Sequence, residues 1–514
     1  MFARVKTLTL FGIHAIPVKV EVSIHNGLFT FNIVGLAGKS VQESKERVFS
    51  AIRNSGFEMP MRRITVNLSP GDLLKNSSSF DLPIAIAILV ATGQINIETK
   101  DTIFWGELSL EGKALSTRGA LAISDEARKM GFKQIVLPHI NANEALIVSE
   151  IEVCPISQLS DLRDIVDVNV FAIPRGNTRL FDTEKAAGIG KENEYDYSMI
   201  KGQNLAKRAL EIACAGAHNI LLQGSPGSGK TYLSRCINSI MPEMSYEEIV
   251  EVTKIYSIAG MLNTKGMVTR RPFRSPHHTC SHVALIGGGS IPRPGEATLS
   301  HRGILYLDEF NEFESRALES LRQPLEDKIV NIARASGVMV YPANFMLVAS
   351  MNPCRCGYLG DKERICSCSA LEIERFKRKI SGPILDRIDI FVHTQRLGKV
   401  ELTSKSSSEN SVTVKDRVGK AREFQYIRFL EYGFEGVFSN ADLNQRQLLQ
   451  SIVLEDSAKE VLDRAIDKLM LSARAYFRLL KVARTIADLE LSAMVKKSHI
   501  SEAIAYRVSP GLGG

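Results

Sequence analysis

One tryptophan in 514 residues, with aromatics at only 7%, leaves the cores of this chain to aliphatic side chains. Long apolar runs are missing too. The longest, Leu82 to Ala91, has ten residues and contains Pro83. Crossing a bilayer takes about 20 apolar residues, so no transmembrane helix is expected. The N-terminal MFARVKTLTLFG lacks the hydrophobic core and cleavage site of a secretory leader, which points to the cytosol. Neither sign of charge dominates: 64 basic against 57 acidic side chains give +7. That excess permits contact with nucleic acid without arguing for it. At 44% apolar and 24% charged, the composition excludes disordered, collagen-like and small disulfide-stapled classes.

The length suits about three or four domains. Residues 1–165 read as mixed α/β, with strand-like runs at Ile64–Leu68 and Gln134–Leu137 and helical stretches near 40–55 and 82–92. Residues 166–197, poor in apolar periodicity and rich in turn formers, read as a linker. From 198 to 397, strand-like and helical runs alternate as in a layered α/β domain. A polar stretch, 403–411, then precedes a helical tail over 412–508.

The strongest chemical signal is Gly224-Ser225-Pro226-Gly227-Ser228-Gly229-Lys230-Thr231, a complete G-x-x-x-x-G-K-[ST] string. The apolar run Asn219–Leu222 before it reads as a strand, and Tyr232–Ile237 after it as a helix. The glycines let backbone N–H groups face phosphates, and the helix N-terminus adds a positive dipole end. Lys230 is placed to reach the β- and γ-phosphates and the Thr231 hydroxyl to bind Mg²⁺. Gly38-Lys39-Ser40 imitates the end of this motif, but the required upstream glycine is Ile33, so it reads as a loop before a helix. A second strand, Gly303–Leu307, ends in Asp308-Glu309. In P-loop enzymes the first such acid holds Mg²⁺ and the second orients or deprotonates the attacking water. A third strand, Phe345–Ser350, ends near Asn352, an amide placed where α/β sheets bind ligands.

These residues carry a resemblance. Residues 198–397 resemble an AAA+ ATPase core of the magnesium-chelatase-like branch, and the whole chain resembles the YifB/ComM family. The most specific strings are Pro272–His278, Gly287–Gly289 with Pro292–Glu296, and Ser381–Asp389. The resemblance implies a homo-oligomeric ring, a hexamer, with ATP and Mg²⁺ bound between subunits. It makes Asn352 a sensor, Arg387 an arginine finger serving the neighbouring site, and Arg474 a sensor of the γ-phosphate in the helical lid. Arg484 is the rival of Arg474 for that role.

In the related branch an insertion before the Asp308 strand forms a pore-facing hairpin. Here Arg270, Arg271, Arg274, His277, His278 and Arg293 would give it a basic edge for DNA phosphates, with Arg334 on a second hairpin beside it. The alternative is that the histidine pair only orders the loop. A metal at that pair is disfavoured because adjacent side chains of an extended segment point apart. Four of the eight cysteines, Cys354, Cys356, Cys366 and Cys368, fall within fifteen residues. Four thiolates suffice for a closed tetrahedral Zn²⁺ site, although C-x-C is tighter than the usual C-x₂-C. Packing by free thiols is the alternative reading.

Residues 1–165 resemble a Lon-protease-like (ribosomal S5 domain 2-like) α+β domain through Gly106–Gly112 and Ala127–Phe132. The serine and lysine of such a peptidase are replaced near Phe80-Asp81 and Leu121, so no proteolysis is expected. Ser79 or Asp81 is expected to cap the next helix, with Pro83 in its first turn. Arg62 and Arg63 are candidates for lining a DNA path. The resemblance implies a DNA motor with ComM-like branch-migration and helicase activity in the integration of transforming DNA, acting on branched or single-stranded DNA, with no membrane partner. A magnesium-chelatase motor subunit and a non-enzymatic DNA scaffold are the alternatives.

Overall fold

The strand β1 (Phe2–Phe11) pairs antiparallel with β2 (His14–His25); alternate residues of β2 are buried, whereas β1 buries Thr7, Leu8 and Thr9 in succession and feeds one cluster through Val5 and another through Leu8. A computed structural model describes residues 1–73, 75, 77–163, 195–262, 266–289, 292–334, 337–361, 363–398 and 409–507. Most of the expected linker 166–197 and of the polar stretch 403–411 lies outside the described residues. The chain divides into two compact units, one built on Met1–Gly188 with Tyr246–Thr269 and Asn331–Tyr341, the other on the remainder.

In the first unit, β1 and β2 join β3 (Thr30–Val34), β4 (Arg63–Ser69), β5 (Thr102–Phe104), β8 (Gln134–Pro138) and β9 (Glu152–Ile156). Their order in the mixed sheet is β3-β4-β2-β1-β5-β8-β9; β6 (Glu107–Leu108) and β7 (Ala114–Leu115) form a separate pair. The ten-residue apolar run becomes the helix Asp81–Ala91, buried from Asp81 through Leu89. A helix apolar on every side belongs in the middle of a core, and this one lies among the sheet's buried residues.

The expected cap is not made. Ser77, not Ser79, accepts an N–H (from Ser79, 3.2 Å) and starts a short 3₁₀ turn. Asp81 lies inside the helix, where its carboxylate takes two hydrogen bonds from Arg47 at 2.6 and 3.1 Å. A guanidinium satisfies both carboxylate oxygens, which one capped N–H cannot do. The Gly38-Lys39-Ser40 string does lead into a helix, Lys39–Asn54, with Gly38 at its N-cap.

The helix Tyr246–Ala259 follows the phosphate-loop helix in sequence, yet it belongs to the first unit. It packs on the helix Ala120–Lys129, tied by Lys254 to Asp125 and by the Tyr246 hydroxyl to the Ile147 carbonyl (3.0 Å). Burial pushes the Asp125 carboxyl up, but hydrogen bonds from Lys254 and Lys129 prevail and bring it to about 2.

The second unit holds a wholly parallel sheet in the order β11-β14-β17-β10-β18: β10 is Ile220–Gly224, β11 Phe273–Arg274, β14 Ile304–Leu307, β17 Met346–Met351 and β18 Ile390–Thr394. Strands β10, β14 and β17 are buried throughout, as parallel strands covered on both faces must be. A short ribbon, β12 (Gly287–Gly288) with β13 (Arg293–Pro294), belongs to the same unit, whereas most of the ribbon β15 (Ile329–Arg334) with β16 (Gly337–Pro342) belongs to the first. The C-terminal helices Ser411–Glu431, Asp456–Leu469, Ala473–Leu489 and Lys497–Ala505 share one apolar core with the helix Asn204–Gly216 and the sheet.

Candidate nucleotide site and cysteine cluster

The phosphate loop leaves β10 at Gly224 and enters the helix Lys230–Ile240. Gly227 and Gly229 take φ of +78° and +85°, a left-handed geometry that costs a residue with a Cβ about 1 kcal/mol or more. Nothing lies within 4 Å of where either Cβ would stand, so this side of the loop is open. Ser225 and Ser228 are buried while Pro226 is exposed. The Ser228 hydroxyl meets Thr394 Oγ1 at 2.9 Å, fixing the loop to the end of β18.

Lys230 turns its ammonium onto the Gly224 carbonyl (2.6 Å), the Ser225 carbonyl (3.0 Å) and Asn352 Oδ1 (3.2 Å). Burial lowers its pKa to about 8, partly opposed by Asp308. The Thr231 hydroxyl donates to Asp308 Oδ2 at 3.1 Å. The other Asp308 oxygen accepts from the Glu309 backbone N–H (3.0 Å) and from the Ser350 hydroxyl. The adjacent parallel strands β14 and β17 therefore bring Asp308, Ser350 and Asn352 to one edge, beside the loop that follows β10. This is the crevice at the strand ends where open α/β sheets bind ligands.

The residues fit a nucleoside triphosphate with Mg²⁺. An ammonium that now satisfies itself on carbonyls is placed to move onto phosphate oxygens, and a hydroxyl and a carboxylate already meet at 3.1 Å, as two ligands of one cation do. The bound pair would supply the phosphoanhydride and the divalent charge that neutralises it. With the pair bound, Lys230 would offset negative charge, Thr231 and Asp308 would hold the cation, and Asn352 would orient. Glu309, exposed and at φ +52°, stands at the rim of the site with its carboxylate within reach of the His278 imidazole.

Three partners of this site were not foreseen. Ser350 orients Asp308, with the Tyr306 hydroxyl behind it at 3.2 Å. His278 Nδ1 lies 3.1 Å from Glu309 Oε2. Glu326 binds both Arg387 and Arg474, the latter at 3.3 Å. Arg387 is 8% exposed and gives a further hydrogen bond to the Pro383 carbonyl at 2.7 Å. Arg474 sits in the first turn of its helix with its side chain more than half exposed. Arg484 is not available to a nucleotide. It is buried and spent on Asp488 and on the carbonyls of Ala493 and Ser492.

The basic edge is narrower than the sequence suggests. Arg271 clamps the carbonyls of Pro242, Arg302 and Glu243 at 2.7, 2.7 and 3.0 Å. Arg274 makes a two-pronged pair with Glu296 at 2.6 and 2.8 Å. Both are held in place by protein acceptors, with only part of each guanidinium's five donors left for another partner. Arg270, His277 and Arg293 are exposed. Arg334, also exposed, belongs to the N-terminal unit. The rings of His277 and His278 do not point apart but lie tilted by 34° with centroids 4.1 Å apart, since a turn begins at His278 in place of the expected extended segment.

The sulfurs of Cys354, Cys356, Cys366 and Cys368 all lie within 4.8 Å of one another. Cys354 is buried and the other three half-buried. The backbone N–H of Tyr358, with that of Ser367, pulls the Cys356 thiol down to about 5. Directly after the cluster, a capping box of Ser369 and Glu372 starts the helix Ala370–Arg378.

Sheet order and site together define a magnesium-chelatase-like AAA+ ATPase. Three family models match in sequence along the chain: "Subunit ChlI of Mg-chelatase" over residues 20–141, "Magnesium chelatase, subunit ChlI" over 196–402, and "Magnesium chelatase, subunit ChlI C-terminal" over 408–507. The chain is 39% identical to the uncharacterized protein YifB of Escherichia coli over 98% of its own length and 96% of that protein. It is likewise 39% identical to the competence protein ComM of Haemophilus influenzae, over 96% and 95%. A magnesium-chelatase 67 kDa subunit of Chlorobaculum parvum is 26% identical over 30% of this chain and 23% of its own. The chain belongs to the YifB/ComM family. Among the described residues no helix is long and apolar enough to cross a membrane.

Proposed function

We propose that the protein is a ring-forming ATPase that works as a DNA motor, driving ComM-like branch migration and strand separation while transforming DNA is integrated by homologous recombination. The observation that carries the enzymatic half is the meeting of Lys230, Thr231, Asp308 and Asn352 around one open phosphate loop. The DNA half is supported by similarity over nearly the whole length to a relative named a competence protein.

In this reading residues 1–165 form a Lon-like domain without peptidase activity, 198–397 the ATPase core and 412–508 its lid. The ring is a hexamer located in the cytoplasm. Lys230, Asp308, Glu309 and Asn352 act within one subunit. Arg387 leaves Glu326 to enter the neighbouring site, and Arg474 contacts the γ-phosphate. Arg270, His277, Arg293 and Arg334 grip the backbone of branched or single-stranded DNA. The four clustered thiolates hold Zn²⁺.

A magnesium-chelatase motor is the second reading, favoured by the family models. Against it stands the short overlap with the chelatase subunit, less than a third of this chain.

A strand-displacement assay on three- and four-way junctions tests the proposal. ATP-dependent product that disappears in Glu309→Gln, with nucleotide binding retained, supports the motor. A lack of junction activity, together with hydrolysis indifferent to DNA, refutes it. Mixing Arg387→Ala with Lys230→Ala subunits tests the shared sites: mixed rings regain turnover only if Arg387 acts across an interface.

A further inference from the structure

The cysteine cluster and the phosphate loop touch at three successive points. Asn352, two residues before Cys354, receives Lys230 Nζ at 3.2 Å. Gly357, between the two cysteine pairs, lies against Pro226 of the phosphate loop. A Cβ there would stand 2.6 and 2.7 Å from the proline ring atoms, and the backbone has φ +85°. Beyond it, Leu359, Gly360 and Asp361 line a cavity of about 280 Å³ together with Ser225 of the phosphate loop and with His393, Thr394 and Arg396 from the end of β18. The Ser225 hydroxyl holds the Asp361 carboxyl below the usual carboxylate range.

The segment has little else to hold its shape. Residues 353–369 contain no strand or helix among those described. Cys354 is buried, but most of the stretch from Glu363 to Ser369 is exposed. The sulfur atoms converge all the same: Cys354 to Cys356 at 3.4 Å, Cys356 to Cys366 at 3.5 Å and Cys354 to Cys366 at 3.6 Å. Four sulfurs about 2.3 Å from a common centre are separated by slightly under 4 Å, which matches this spacing. A structural metal commonly supplies the folding energy of a segment that lacks its own core.

We propose that Cys354, Cys356, Cys366 and Cys368 bind one tetrahedral Zn²⁺ that shapes the wall of the phosphate loop, so that nucleotide affinity depends on metal loading. The link runs through Gly357 against Pro226 and through Asn352 to Lys230. It rests on the ATPase reading for the nucleotide and on the zinc reading for the ion, and it joins the two. Zn²⁺ here is structural: it has four protein ligands and no open position, and it touches no reacting atom.

The test uses the full-length protein, loaded with Zn²⁺ or with Co²⁺ as a spectroscopic stand-in, and a fluorescent ADP as probe. One metal per chain is expected, with a thiolate-to-cobalt charge-transfer band that is lost when Cys356 and Cys366 are both changed to Ser. Stripping the metal with a chelator should weaken ADP binding about ten-fold, the equivalent of one or two hydrogen bonds, and added Zn²⁺ should restore it. Gly357→Ala should keep the cobalt band and still lose ADP affinity, because it disturbs the contact with Pro226 without touching a ligand. Circular dichroism separates these effects from unfolding. Less than one metal per chain overturns the metal site. One metal per chain, with ADP affinity unchanged both by stripping and by Gly357→Ala, overturns the coupling and leaves the site. Failure of the metal-loaded wild type to bind ADP overturns the ATPase reading instead.

Discussion

The imidazole Nδ1 of His278 stands 3.1 Å from Oε2 of Glu309, the carboxylate assigned to activate water. His278 comes from the insertion before β14, and Glu309 follows the strand itself. If Glu309 activates water as proposed, a carboxylate held by an imidazole is less available to it, and the pair would restrain hydrolysis. His278→Ala should therefore raise DNA-independent ATP turnover. Both side chains are partly exposed, so the restraint is worth about 1 kcal/mol or less and the rise about five-fold at most. Phosphate release measured without DNA checks this, and an unchanged or lower rate in His278→Ala would show that the contact only orders the loop.

Glu326 is the shared acceptor of two arginines expected to serve ATP. Arg387 is nearly buried, so removing its carboxylate partner leaves a guanidinium with one carbonyl and an uncompensated charge. Glu326→Ala should lower unfolding stability by about 1–3 kcal/mol, the usual range for a charged hydrogen bond. Arg474→Ala, on an exposed side chain, should change stability by about 0.5 kcal/mol or less and weaken nucleotide binding. Denaturant melts and nucleotide titrations on the same two variants separate the effects.

The parts of this site that were legible in the sequence are those written as short continuous strings. The phosphate loop, the acidic pair after β14 and the two C-x-C pairs each need only local spacing, and each has its geometry set by the strand or turn that bears it. What stayed illegible depends on pairs far apart in the chain. Ser350 meets Asp308 across 42 residues, and Glu326 meets Arg387 across 61. Neither pairing leaves a mark on local periodicity. The helix Tyr246–Ala259 shows the same limit in the fold. It lies within the stretch 198–397 read as one layered α/β domain, and nothing in the local sequence says that it packs with the N-terminal unit instead. That Arg271 holds backbone carbonyls and Arg274 the Glu296 carboxylate was equally invisible, because a basic residue in a loop looks alike whether it faces solvent or protein acceptors.

Arg484 and Arg474 separate by the same logic. Arg484, Arg428, Asn440 and Thr485 form a buried network, in which both arginines and Asn440 bond Asp488 and Asn440 also bonds Thr485 (2.9 Å). Asp488 is fully buried and the sole acid among these partners, so Asp488→Ala leaves two buried guanidinium groups without a counter-charge. A loss of about 3–5 kcal/mol is expected. Urea unfolding measures it. A loss under about 1 kcal/mol would show that water enters and rescues the charges.

Lys230 makes nucleotide binding depend on pH in a definite direction. In the ligand-free protein burial lowers its pKa from 10.5 to about 8. A lysine with a lowered folded-state pKa opposes folding below about pH 8, and that penalty is relieved as pH rises from 8 towards 10.5. Phosphate oxygens favour the charged form and raise the pKa again, so binding above pH 8 must take up a proton. The part of the affinity that depends on Lys230 should then be flat below about pH 7 and fall above pH 8, by at most about ten-fold per pH unit. Isothermal titration of ADP at pH 8.5, in two buffers of different ionisation enthalpy, should show about three-quarters of a proton taken up per site, the fraction of a lysine of pKa about 8 that is neutral there. At pH 6.5 the uptake should be gone, and any remaining buffer dependence comes as release from the ADP phosphate, which titrates at about pH 6. In Lys230→Met binding weakens and the uptake at pH 8.5 vanishes; uptake that survives this substitution would assign the proton to another group, with His393 beside the loop the next to examine.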